Sequence, residues 1–194
     1  QRQMCIRDRD EIATILEQTE KLDFLIQSLV KLSRMESGII AVHSEDTTIK
    51  QMLESIQQQF NVKVREKNIT LSLCDTDLHV RCDSKWTVEA LGNIVDNAIK
   101  YTACGGNVQI KVEQYSFFVK IDIIDDGIGI EKEEIPKIFG RFYRSLSVAD
   151  QPGVGIGLFL AREIIQAQKG YIKVTSKRGK GSTFSVFLPI AKKE

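Results

Sequence analysis

The sequence predicts an α+β protein, a two-layer α/β sandwich preceded by a long amphipathic helix. Strand pairs and helices are segregated along the chain rather than alternating, which argues against a doubly wound parallel sheet. Short runs such as Ile69-Thr70-Leu71-Ser72-Leu73 alternate apolar and polar residues as half-buried strands do. Near the start, Leu22, Leu25, Leu29 and Leu32 step by three, four and three, a coiled-coil-like seam.

Composition narrows the class of molecule. At 194 residues the chain holds one ordinary domain plus an appendage. Apolar content of 42% and charged content of 27% are those of a soluble globular protein. A net charge of +1 argues against a broad nucleic-acid footprint, so no nucleic-acid partner is expected. No apolar run reaches bilayer length and no signal peptide opens the chain. Cys5, Cys74, Cys82 and Cys104 show no paired short spacing, so zinc or redox motifs are not expected and a reducing cytoplasm is the default.

Residues 1–9 are a polar tail with no assigned role. From Asp10 to Ser37 the pattern is helical, and Phe24 and Ile26 widen the leucine seam beyond two strands, as a four-helix bundle requires. Gly38 sits where a helix C-terminus expects it. One such helix cannot bury its stripe alone: either the following domain covers it or a partner does, and a partner, a second copy, is the favoured expectation. Ile39–Val42 reads as a short strand. Met52, Leu53, Ile56, Phe60 and Val64 give a helix over 49–67, followed by strands at Ile69–Leu73 and His79–Cys82. His43 and His79 lack ligand-spaced neighbours and read as solvated or structural.

Asp83 or Ser84 caps a helix running to about Thr102. At 100° per residue, Val88, Leu91, Ile94, Val95, Ala98 and Ile99 share one face, while Asn93, Asn97 and Lys100 cluster opposite within roughly 60°. A solvated polar face would explain the cluster, but asparagines are indifferent helix formers and carry a mild cost there without a use. An amide oxygen is a hard ligand suited to Mg²⁺, and an ammonium suits phosphate.

Gly105-Gly106-Asn107 makes a turn, and Val108–Val112 pairs with the apolar run Phe117–Ile124. There follows Asp125-Asp126-Gly127-Ile128-Gly129-Ile130, a carboxylate at the end of a buried strand and then two glycines. Alone it reads as a hairpin turn. Alternatively, the carboxylate accepts from an exocyclic amine such as that of adenine. A weakly periodic loop over 131–152 precedes Gly153-Val154-Gly155-Ile156-Gly157-Leu158, which runs into a helix ending near Gln168-Lys169-Gly170. Glycines at a helix start expose unpaired amides and the positive end of the dipole, an anion site. Strands at Tyr171–Ser176 and Ser182–Leu188 close the chain, joined by Arg178-Gly179-Lys180-Gly181.

Neither a G-x-x-x-x-G-K-[ST] loop nor G-x-G-x-x-G is present. The motifs that are present resemble the ATP-binding catalytic domain of sensor histidine kinases, within the superfamily shared with DNA gyrase, Hsp90 and MutL. Four occur in that family's order: Asn93-Ile94-Val95-Asp96-Asn97-Ala98-Ile99-Lys100-Tyr101-Thr102, Asp125-x-Gly127-x-Gly129, Phe139-x-x-Phe142 and Gly153-x-Gly155-x-Gly157-Leu158. The resemblance implies a Bergerat-type ATP-binding fold over 39–194, and over 10–38 the second helix of the dimerisation and phosphotransfer domain.

It also implies roles. Asn97, with Asn93 beside it, would hold Mg²⁺, and Lys100 would reach a phosphate. Tyr101 would flank the adenine, Asp125 would accept from its amino group, and Gly127, Gly129 and Ile130 would line the base. The 131–152 loop would be an ATP lid carrying Phe142, with Arg144 contacting the terminal phosphate. Gly153, Gly155, Ile156, Gly157 and Leu158 would surround the phosphates, and Thr183 would support Asp125 from a neighbouring strand.

The family's His-Glu-x-x-x-Pro phosphoacceptor box is absent, so the chain reads as part of a longer kinase, possessing or lacking a membrane anchor elsewhere. The implied partners are a phosphoacceptor histidine domain, a response regulator and a second copy. Two rival readings stand beside the kinase. One is an ATP-binding, dimerising regulator without transferase activity. The other is a superfamily ATPase using a glutamate such as Glu89.

Overall fold

The computed structural model describes residues 42–145, 148, 151 and 153–190, together with scattered positions between Ile12 and Ser33. Phe24, Leu32, Gly38 and residues 39–41 lie outside the described set, as do residues 1–9. The described positions between Ile12 and Ser33 are helical. Leu25 packs against the main core, whereas Ile15, Leu22, Ile26 and Leu29 are exposed.

Three helices cover one face of a five-stranded sheet. The elements are β1 (Glu45–Thr48), α1 (Ile49–Glu66), β2 (Thr70–Leu73), β3 (His79–Cys82), α2 (Ser84–Tyr101), β4 (Asn107–Gln114), β5 (Phe118–Asp125), α3 (Gly157–Ala167), β6 (Tyr171–Ser176) and β7 (Ser182–Pro189). The main sheet has the order β2-β4-β5-β7-β6, with β2 parallel to β4 and the other pairs antiparallel. β1 and β3 form a separate antiparallel pair.

The helices form where the apolar spacing places them. Ile49, Met52, Leu53, Ile56 and Phe60 are the buried face of α1. Leu91, Ile94, Val95, Ala98 and Ile99 are that of α2. These meet the inward sheet residues Val108, Ile110, Val119, Ile121, Ile123, Val186 and Leu188, and each large side chain removed from water contributes about 1.5–3 kcal/mol. The other sheet face is polar and aromatic. On it Lys120 pairs with Glu113 at 2.8 Å and with Asp122 at 2.9 Å, and Tyr171 stacks on Phe187.

Helix ends follow local chemistry. The Asp83 carboxylate caps α2 by accepting from Trp86 N–H, and it also accepts from His43 N–H. α1 closes on Asn68 at φ 51°, with Asn68 N–H donating to Arg65 C=O and Ile69 N–H to Val64 C=O, the two-bond C-terminal motif. α3 closes the same way on Lys169, φ 62°.

Of the strand expected at Ile39–Val42 only Val42 is described, and it lies outside any strand; among the described residues the first strand is Glu45–Thr48. That segment has no apolar alternation, and it is extended because it pairs with His79–Cys82.

Candidate active site

Residues from several segments converge on one cleft. α2 contributes Asn93, Asn97, Lys100 and Tyr101, spaced at one and two turns, and the strand ends add Asp125 and Ser182. The loop after β5 supplies Gly129 and Ile130, the lid supplies Tyr143 and Arg144, and the start of α3 supplies Gly153, Gly155, Ile156, Gly157 and Leu158.

Asp125 is buried at 7% exposure. Its Oδ1 accepts from Gly127 N–H at 2.9 Å and from Ser182 N–H at 3.2 Å. Oδ2 has no hydrogen-bond partner among the described residues. Burial pushes this carboxyl above the usual carboxylate range, against the lowering effect of the two amides. Next to it, Asp126 accepts from the Asn107 backbone and side-chain amides, both at 2.9 Å, which anchors the turn.

The glycine loop is clamped to the β6–β7 hairpin. Ile130 N–H donates to Ser176 Oγ at 2.8 Å, and Ser176 Oγ–H donates to Gly181 C=O at 2.9 Å. Gly179 N–H donates to Ile128 C=O at 2.7 Å. Gly129 (φ 68°) and Gly181 (φ 85°) lie where backbones nearly touch: a Cβ on Gly129 would strike Lys177 C=O, and one on Gly181 would strike Asp125 C=O.

The cationic side of the cleft is built from Lys100 and Arg144. Lys100 Nζ lies 4.8 Å from the centre of the Tyr101 ring and reaches Gly153, where an added Cβ would be 2.9 Å away. Burial, and then the Arg144 charge, pull the Lys100 ammonium below its ordinary value. Burial likewise raises the Tyr101 phenol. Arg144 donates to the lid carbonyls of Val148, at 3.1 Å, and Gln151. α3 begins after Ile156 with no side-chain cap, and Asn93 Oδ1 lies 3.0 Å from where a Gly157 Cβ would sit. Asn97 makes no side-chain hydrogen bond among the described residues.

Three expected residues do not line the cleft. Gly127 lies behind it, where a Cβ would come within 2.6 Å of Tyr101 C=O. Phe142 (φ 60°) is 54% exposed, and the inward position falls to Tyr143. Thr183 pairs with Ile124, while Ser182 stands opposite Asp125. Successive strand residues face opposite sides, so Ser182, not Thr183, reaches the aspartate.

Other cleft residues were assigned no role from the sequence. Tyr143 Oη donates to Glu134 Oε1 at 3.2 Å, and Asp96 pairs with Lys63 at 2.6 Å. A polar helical position beside Asn97 was the one available signal for Asp96. Glu89 does not line the cleft.

A mixed sheet backed by helices, with a carboxylate at a strand end facing an uncapped helix start across a lidded cleft, defines an ATP-binding α/β sandwich. Residues 82–192 match the family described as histidine kinase-, DNA gyrase B- and HSP90-like ATPase, and the chain belongs to that family. It is 34% identical over 177 residues to the sensor histidine kinase WalK of Bacillus subtilis, covering 89% of this chain and 29% of WalK. The solved mycobacterial sensor histidine kinase MprB superposes with a TM-score of 0.68 at 25% identity, covering 77% of this chain and 99% of that one. The Acinetobacter baumannii histidine kinase AdeS gives 0.72 at 25% identity, covering 93% and 84%. The chain spans about a third of the length of the curated relatives it matches.

Proposed function

We propose that this chain is the ATP-binding catalytic portion of a sensor histidine kinase. It transfers the terminal phosphoryl group of ATP to a histidine outside these residues, for relay to a response regulator. The observation that carries the reading is the convergence of Asn93, Asn97, Lys100, Tyr101 and Asp125 with the uncapped α3 start on one cleft.

In this reading Asp125 accepts from the adenine amino group through Oδ2, and Tyr101, Gly129 and Ile130 border the base. Lys100, Arg144 and the first amides of α3 take the phosphates, where positioning and charge neutralisation do most of the work of phosphoryl transfer. The amide oxygens of Asn97 and Asn93 fit Mg²⁺, which takes one or two protein ligands and completes its shell with phosphates and water. No group of three or more His, Cys, Asp or Glu side chains able to hold a metal occurs among the described residues, so the phosphates supply the remaining charge. When bound, the metal neutralises charge developing on the phosphates.

The exposed Ile15, Leu22, Ile26 and Leu29 support pairing with a second copy through the N-terminal helix. No helix among the described residues is long and apolar enough to cross a membrane, and a cytoplasmic setting fits the ATP site. His79 lies in a strand and meets Asp46 at 2.6 Å, which supports placing the acceptor histidine elsewhere. A water-activating ATPase is disfavoured because Glu89 is off the cleft and the cleft position one turn before Asn97 is Asn93, an amide that cannot act as a base.

Calorimetry with Mg-ATP tests the site, comparing the chain with Asn97→Ala and Asp125→Ala. Either change should weaken binding by more than about tenfold, roughly 1.4 kcal/mol. Absence of binding by the parent, or two variants that bind as it does, overturns the site. Phosphoryl transfer to a separately supplied histidine-bearing domain should follow; ATP binding without transfer would instead establish a regulator.

A further inference from the structure

We propose that Lys67 is a positioning residue for the nucleotide cleft, acting through the C-terminus of α2. The inference rests on the nucleotide reading of that cleft. A helix leaves its last four carbonyls without partners inside the helix, and α2 ends with Lys100 and Tyr101 in the cleft wall. All four carbonyls are satisfied from outside the helix. Ala98 C=O accepts from Thr102 N–H at 3.1 Å, and Tyr101 C=O accepts from Ile128 N–H at 3.3 Å. The other two, Ile99 and Lys100, accept from one group, the Lys67 ammonium, at 2.8 and 2.6 Å. No backbone N–H among the described residues reaches either of them.

Lys67 is fixed for this task. It is the C-cap residue of α1, just past Glu66. Its N–H donates to Lys63 C=O at 3.1 Å, and its own C=O accepts from Gly105 N–H at 3.3 Å. The backbone is thus held on both sides while a half-buried side chain crosses to α2. A cation is favoured at this negative end of the helix dipole. One turn earlier, Lys63 grips Asp96 through an exposed pair, an arrangement of small worth. Lys67 does not line the cleft. It acts by holding the last turn of α2, and so sets where Lys100 Nζ and the Tyr101 ring stand.

The test compares Mg-ATP affinity in the full chain and in Lys67→Met, Lys67→Arg and Lys63→Met, at a temperature where melting curves show every variant folded. Asn97→Ala is run in parallel. Lys67→Met should weaken binding at least about fivefold, Lys67→Arg should return it to within about twofold, and Lys63→Met should stay within about twofold. A folded Lys67→Met that binds as the parent does, even with a lowered melting temperature, overturns the proposal and leaves a purely structural lysine. A Lys67→Arg as weak as Lys67→Met overturns it too. If Lys67→Met does not fold, Lys67→Gln carries the test, and unchanged affinity in that variant is the refuting result. Failure of the parent to bind, or an Asn97→Ala that binds normally, strikes the nucleotide site itself and is thereby distinguished from failure of Lys67 alone.

Discussion

Gly179 and Gly181 sit two residues apart in the β6–β7 turn, both with left-handed backbones, at φ 73° and 85°. Replacing each with alanine separates backbone conformation from space. At Gly179 an added Cβ meets nothing within 4 Å. Only the left-handed penalty applies there, about 1–2 kcal/mol, partly offset by about 0.4–1 kcal/mol from a less flexible unfolded chain. Gly179→Ala should therefore cost about 0.5–1 kcal/mol. At Gly181 the same Cβ strikes the Asp125 carbonyl and lies 2.9 Å from Asp126 Cα. Main chain cannot swing aside as a flexible side chain can, so overpacking adds about 1–3 kcal/mol. Gly181→Ala should cost about 1.5–4 kcal/mol in all. Urea unfolding gives both values as midpoint shifts at unchanged m. In a chain of this size the melting temperatures should fall by about 2–4 °C per kcal/mol. Equal losses in the two variants would refute the reasoning, because contact with Asp125 would then contribute nothing. Gly181→Ala should also weaken ATP binding, since the displaced strand end carries the aspartate, and Gly179→Ala should not.

Three further outcomes follow from charge. Burial raises the Asp125 carboxyl, and the ionised form is the one that accepts from an amine. ATP affinity should therefore be full above the raised value and fall as pH drops through it, earlier than for an ordinary aspartate near pH 4; calorimetry across that range checks this, and a flat profile refutes it. The same shift costs folding stability only where the group ionises, so Asp125→Asn should gain stability relative to the parent as pH rises through the window, as read by thermal melts. On the outer sheet face, Lys120→Met leaves Asp122, 7% exposed, without its cation. It should cost about 1–3 kcal/mol by urea unfolding, and Lys120→Met/Asp122→Asn should recover part of that loss.

The helices were legible because their signal is local. Met52, Leu53, Ile56 and Phe60 fix the face of α1 from spacing alone, and the same arithmetic gathers Asn93, Asn97 and Lys100 on one side of α2. What escaped depends on distant pairing. The segment Glu-Asp-Thr-Thr at 45–48 has no apolar alternation, and only its ladder with β3 makes it a strand. Thr183 and Ser182 differ by one residue, and a one-residue step reverses the face; the ladder that sets Ser182 against Asp125 joins segments far apart in sequence. The outward turn of Phe142 hangs on a single left-handed φ, for which phenylalanine gives no warning. The Ser176 hydroxyl that holds Ile130 carries no local signature.

The lid springs from two fastened points. At one end Ile130 is tied to Ser176, and at the other Ile156 is buried at the head of α3. Both border the same cleft, so the segment between them closes a loop whose ends the fold already holds in place. The entropy of closing such a loop grows only with the logarithm of its length, about 0.6 kcal/mol per doubling. Residues can therefore be added to or removed from the middle of this segment at little cost to the rest of the domain, and its length is free to vary without disturbing the fold that anchors it.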